Sequence, residues 1–98
     1  FVPTYVGRPS WYMYSITVDA DRRDPLIAHL TAQEIDTRLS FPPVHIQSYY
    51  VKQFGYHPDD FPLARTAFET FLDIPIWADM GDENQKHVID QIKTFLAP

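Results

Sequence analysis

The stretch FPPVHIQSYYVKQFGYHPDDFPLA, residues 41–64, decides the fold, because two helix starts and a helix stop follow one another within it. Pro42 and Pro43 block any strand running into them, since proline has no backbone donor for a sheet ladder. From about Val44 the apolar residues Ile46, Tyr49, Tyr50 and Phe54 fall at helical spacing, which predicts a short aromatic helix. Gly55 stops it by accepting a left-handed backbone. After YHPDD, the Phe61-Pro62 step starts another helix, with Leu63, Ala64, Ala67, Phe68 and Phe71 on one stripe.

Working outward from this stretch, residues 1–10 hold two prolines and a glycine with no periodicity and read as an extended lead-in. From 11 to 18, Tyr12, Tyr14, Ile16 and Val18 alternate with Met13, Ser15 and Thr17, the period of a half-buried strand. Asp24-Pro25 has the form of a helix start, a capping carboxylate followed by a proline at the first helical position. Leu26, Ile27 and Leu30 share the face of that helix. A second strand is predicted over 35–41, where Ile35, Thr37, Leu39 and Phe41 alternate with Asp36, Arg38 and Ser40. Leu72, Ile74 and Ile76 form a third strand, at a sheet edge or very short because Pro75 removes a ladder donor. Asp82, with Gln85 three residues on, opens the last helix after Gly81, and Val88, Ile89, Ile92, Phe95 and Leu96 supply its buried face. The order is an α/β two-layer sandwich, a small three-stranded sheet packed with about four helices.

Composition narrows the function. The net charge of −5 opposes nonspecific binding to nucleic acid, which needs a basic surface. No apolar run approaches the roughly 20 residues that span a bilayer, so no membrane partner is expected. The absence of cysteine excludes disulfides and thiolate metal sites and fits a cytoplasmic chain. The three glycines are isolated, so no phosphate-cradling loop is present. No catalytic nucleophile stands at a recognisable spacing from a base, and no catalytic residue is assigned.

Two residues are candidates for substrate binding. His45 follows a rigid Pro-Pro pair and precedes a helix, so its imidazole lies near a helix N-terminus, beside which phosphate or carboxylate oxygens are favoured. The alternative is a histidine that only caps its helix. Arg38 lies on the polar face of the second strand, where its guanidinium can clamp a carboxylate or phosphate in bidentate fashion; the alternative is a solvated charge paired with Asp36 or a helix carboxylate. His57, Asp59 and Asp60 resemble a metal cluster only superficially, since a proline-broken loop does not specify converging ligands, and helix capping by Asp59 or Asp60 is the favoured role. His29 and His87 read as boundary residues beside apolar stripes, and Tyr49 and Tyr50 mainly as core.

Several motifs in order resemble the C-terminal region of the DegT/DnrJ/StrS sugar aminotransferases, which use pyridoxal phosphate. They are PPVHIQSYY, FGYHPDDFPLA and DIPIWADM, the last beginning at Asp73. In that family the pattern is an aromatic-Pro-Pro-x-His approach, a paired-aromatic helix, a Phe-Gly-Tyr turn, an Asp-Phe-Pro helix start and a Leu-Pro-hydrophobic strand. The resemblance covers about residues 11–96 and implies that 11–98 is the small C-terminal domain of a longer enzyme, with 1–10 as linker. It aligns Pro43-Val44-His45 with the family's Pro-x-His, toward the sugar-nucleotide end of the cleft. It also aligns Arg38 with the Arg of an Ile-Gly-Thr-Arg stretch, in which Asp36 replaces the usual Gly.

For the parent protein the resemblance implies amino transfer, typically from glutamate, to a keto sugar on a nucleotide. It further implies pyridoxal phosphate held in a large upstream domain, which carries the Schiff-base lysine, and a homodimer. This chain alone, whose Lys52, Lys86 and Lys93 fall on predicted helix surfaces, is expected to bind no cofactor and no metal and to be inert. It would form one wall of the substrate cleft, with an apolar and aromatic patch exposed in 41–54 where the large domain docks. The rival reading is a free-standing binding or regulatory module of the same fold.

Overall fold

The computed structural model describes residues 7, 8 and 10–98, so the 1–10 lead-in falls mostly outside the described residues. Six regular elements follow: β1 (Tyr14–Thr17), α1 (Ala20–Ala32), α2 (Ser48–Phe54), α3 (Pro62–Thr70), β2 (Phe71–Ile74) and α4 (Gly81–Leu96). Short 3₁₀ turns at Val44–Ile46 and Pro58–Asp60 flank α2. The mixed architecture of a small sheet and four helices is as expected, but the sheet has two strands.

β1 and β2 pair antiparallel, with Tyr14 opposite Ile74, Ser15 opposite Asp73 and Ile16 opposite Leu72. Of the predicted second strand, a single residue pairs: Arg38 and Asp73 exchange both backbone hydrogen bonds, at 3.0 and 2.9 Å. The next ladder position toward β2's C-terminus would set Asp36 against Pro75, and proline has no N–H to donate. Asp36 also draws its neighbour inward, its Oδ1 accepting the Thr37 N–H at 3.1 Å. β2 is very short, four residues, the second of the two forms expected of it; it lies between β1 and the single bridge at Arg38, and Pro75 sits just past its end.

Alternation sends Ile16, Leu72 and Ile74 to one face of the sheet, where they join the core of Val18, Leu26, Leu30, Ile35, Leu72 and Val88. Leu26, Leu30 and Leu72 are fully enclosed. α1 packs against α3 and α4 around them. Within α4, Val88 is buried and Ile92 and Phe95 half-buried, whereas Ile89 and Leu96 remain exposed.

α1 begins a turn earlier than Asp24-Pro25 implied, after Asp19, with Pro25 inside it. Tertiary contacts hold that extra turn. Arg22 donates to the Phe95 carbonyl at 2.8 Å and Arg23 to the Phe68 carbonyl at 2.6 Å, both near helix C-termini, where carbonyls lack helical partners. The two guanidinium groups also lie 5.3 and 5.9 Å from the Phe95 and Phe68 ring centroids. Asp82 does not cap α4, which starts after Met80 without a side-chain cap; instead the Asn84 amide donates to the Met80 carbonyl at 2.8 Å.

Gly55 ends α2 in the left-handed conformation, φ 71°, as its position predicts. α2 itself has no buried residue. Tyr49 is 67% exposed and Tyr50 only half-buried, so neither is core. Leu63, placed on the buried stripe of α3 by spacing, is also exposed. α2 stands off the α1/α3/α4 body, whereas the Pro58–Asp60 turn packs against α3, and the radius of gyration, 16.0 Å, exceeds the ~13 Å of a tightly packed chain of this length.

Candidate functional site

Arg38 is positioned by backbone pairing alone. Its peptide is held to Asp73, while its guanidinium is exposed and makes no hydrogen bond or ion pair among the described residues, with Asp36 or any other carboxylate. Beside it opens a cleft of about 310 Å³, where the chain beyond β2 separates from its neighbours; Tyr12, Asp36, Arg38, Asp73, Pro75 and Trp77 are on its walls. This is at the low end of small-molecule sites. Tyr12 and Trp77 expose their rings there, and two carboxylates stand near one guanidinium.

Asp73 was not foreseen as a site residue. It is only 5% exposed; its Oδ1 accepts a hydrogen bond from the Ser15 hydroxyl, and its Oδ2 is buried with no partner among the described residues. The available signal was an acidic residue inside the apolar run Leu72-Asp73-Ile74. Strand alternation turns it to the face away from the helices, and spacing alone then reads it as solvated.

His45 occupies a different part of the molecule and does not line the Arg38 cleft. It is buried, with Nε2–H donating to the Pro58 carbonyl at 3.2 Å and its ring centroid 4.8 Å from that of Phe61. It caps nothing: α2 has Gln47 at its N-cap and no side-chain cap. Ring contacts continue outward from Phe61 to Tyr56, Phe54, Tyr50 and Tyr49, centroids 5.3 to 6.2 Å apart, in edge-on, tilted and stacked geometries. This ladder joins α2 to the turns on either side. Its outer end, Tyr49, is 67% exposed and Phe54 58%, and Phe41, which precedes the ladder in the chain, is 92% exposed.

His57, Asp59 and Asp60 are engaged in capping. The His57 Nδ1 accepts the Asp59 N–H at 3.3 Å and Asp60 Oδ2 accepts the His57 N–H at 2.7 Å, a capping box. Asp59 also pairs with Arg65, which bonds Glu69 at 2.8 Å; hydrogen bonds and charge from Glu69 first, then Asp59, raise the guanidinium's pKa. Among the described residues no three His, Asp or Glu side chains are grouped to hold a metal ion. His29 bonds Gln91 at 3.1 Å and His87 lies 3.5 Å from the Gln33 carbonyl, both between helices and their surroundings. Lys52, Lys86 and Lys93 are exposed on α2 and α4, and none borders the cleft. The cleft by itself therefore supplies pyridoxal phosphate no Schiff-base lysine. Among the described residues no helix is long and apolar enough to cross a membrane.

The fold recurs in solved structures. The aminotransferase TlmJ from Streptoalloteichus hindustanus superposes with a TM-score of 0.82 at 28% identity, over 98% of this chain and 25% of that one. A DegT DnrJ EryC1 StrS aminotransferase from Brucella abortus does so with a TM-score of 0.77 at 27% identity, over 90% and 23%. By sequence, the chain is 36% identical over 95 residues to the spore coat polysaccharide biosynthesis protein SpsC of Bacillus subtilis, covering 92% of this chain and 24% of that protein. It is 33% identical over 90 residues to the dTDP-3-amino-3,4,6-trideoxy-alpha-D-glucose transaminase of Streptomyces venezuelae, covering 89% and 22%. The chain therefore spans about a quarter of the length of the relatives it matches. The sequence profile of one family runs through residues 2–93, across β1, the aromatic arm and most of α4. With fold, motif order and profile in agreement, the chain belongs to the DegT/DnrJ/EryC1/StrS aminotransferase family.

Proposed function

We propose that this chain is the C-terminal small domain of a longer, pyridoxal-phosphate-dependent aminotransferase that acts on nucleotide-linked keto sugars in the cytoplasm. Residues 11–98 form the domain and 1–10 lead into it. The observation that carries this reading is the apolar arm: Phe41, Val44, Tyr49 and Phe54 are all exposed on one short segment. An apolar surface of this kind marks an interaction site. The large domain of the same protein is the occupant that relatives four times as long suggest.

In this reading the domain walls the substrate cleft and docks the large domain, and the whole protein works as a homodimer. Arg38 binds a carboxylate or phosphate of the substrate through its free guanidinium. His45 supports the sugar-nucleotide end; with Nε2–H held by Pro58, its Nδ1 remains to meet a ligand. Pyridoxal phosphate, which carries the amino group when bound, belongs to the rest of the protein, and this chain contributes no step through it.

The test is the visible absorption of the purified full native chain, followed on adding glutamate and then a nucleotide keto sugar. A Schiff-base band that shifts with glutamate supports the reading. A native product no longer than this chain, without such a band, would leave a free-standing binding module of the same fold.

A further inference from the structure

Ser15, Asp73 and Arg38 form a row across the sheet. Ser15 and Asp73 are opposed in the register of β1 and β2, and Asp73 and Arg38 are opposed through their paired backbone bonds. Directly opposed residues in an antiparallel pair send their side chains to the same face, roughly 5 Å apart. The middle member is the anomaly. Asp73 has one oxygen held by Ser15 and the other buried without a donor among the described residues, a costly arrangement for a carboxylate that native structures seldom leave unanswered. Arg38, directly opposite, is a cationic group of that row, exposed and without a side-chain hydrogen bond or ion pair among the described residues. Thr37, next to it, projects to the opposite face by alternation.

We propose that Asp73 is a counter-ion of Arg38: beside the exposed position that the structure holds, the guanidinium has a second one against Asp73 Oδ2, and a carboxylate or phosphate entering the cleft draws it away from there. The proposal rests on the reading of Arg38 as the anion-binding residue. Asp73 is then a positioning residue. It competes with the ligand for Arg38, weakens anion binding, and keeps the guanidinium over the cleft instead of in solvent. Ser15 holds Asp73 in place by occupying its other oxygen.

The experiment uses the full native chain, with glutarate and methyl phosphate as separate probes in calorimetric titrations at low salt. Asp73→Asn retains an oxygen for the Ser15 hydroxyl and removes the charge. It should tighten binding about three- to tenfold, the range of a partly screened ion pair, and this gain should vanish in an Arg38→Gln background. Ser15→Ala removes the supporting bond but no charge and should change affinity less than twofold. Tightening for only one probe supports the proposal and names the anion. Unchanged or weaker binding in Asp73→Asn, or tightening that persists without Arg38, overturns it. If Arg38→Gln alone leaves both affinities unchanged, the reading of Arg38 itself fails, a distinct result. A measurement free of folding effects is the ¹⁵N resonance of Arg38 Nε in the unsubstituted chain. It should be protected from exchange without ligand and shift on adding the bound probe, and no protection overturns the proposal.

Discussion

His45 and Pro58 are tied across the base of the aromatic arm: the imidazole Nε2–H donates to the Pro58 carbonyl at 3.2 Å while the ring rests against Phe61. α2 buries nothing of its own, so this bond and the ring ladder, together with the His57/Asp60 capping box and the Asp59–Arg65 pair, hold residues 44–61 in shape. His45→Ala removes the donor and the ring together and should cost about 1–3 kcal/mol. Amide hydrogen exchange is the direct measurement, with faster exchange confined to 44–60. His45→Phe keeps the ring, and loss of protection there should be smaller; equal loss would mean the packing contributes nothing.

Leu72 is fully enclosed between the sheet and α1, beside Leu26 and Leu30. Leu72→Ala leaves a cavity that the surrounding leucines cannot fill, at a cost of roughly 2–5 kcal/mol. The urea midpoint should fall accordingly. Leu63→Ala, on the exposed face of α3, should leave it nearly unchanged in the isolated domain.

Gly55→Ala tests the helix stop. A Cβ at this position meets nothing within 4 Å, so the effect comes only from the positive φ of 71°. The expected loss is ~1 kcal/mol, the penalty of a left-handed backbone for an L side chain. A loss of several kcal/mol in the thermal transition would show that the arm depends on Gly55 for more than its backbone.

Asp90 pairs with Lys86 one turn earlier on α4, and the Lys86 hydrogen bond, with charge from Lys86, Lys93 and His87, holds its carboxyl below the ordinary carboxylate value. A pKa lowered on folding means that the pair stabilises above the ordinary value and that this contribution disappears as pH falls through the lowered one. Both side chains are exposed, so the effect on stability is small. In a carboxyl ¹³C titration, Lys86→Met should move the Asp90 midpoint upward. No movement would leave the pair without influence in solution.

Much of the fold was legible because it is local. The positive φ of Gly55, the Phe61-Pro62 start of α3 and the Leu26/Leu30 stripe of α1 each follow from the chemistry of a few adjacent residues, and each stands where spacing placed it. The family resemblance was legible for a related reason, since turn and cap motifs kept in order identify a fold by its punctuation. The misplaced features depend on distant partners. α1 starts at Ala20 because Arg22 and Arg23 find carbonyls on α4 and α3, outweighing the start signal of Asp24-Pro25.

The site divides the same way. From sequence, Arg38 and His45 look like neighbours on one wall, seven positions apart; in the structure Arg38 borders a cleft and His45 is buried under the arm. Periodicity settles which residues share a face, because side-chain direction is local geometry. Only the tertiary structure decided that β2 runs between β1 and Arg38, that Asp73 is enclosed with one oxygen unanswered, and that the tyrosines of α2 remain outside the core. Those outcomes depend on which strand pairs with which and on how far the arm stands from the body, and chain neighbours carry no information about either.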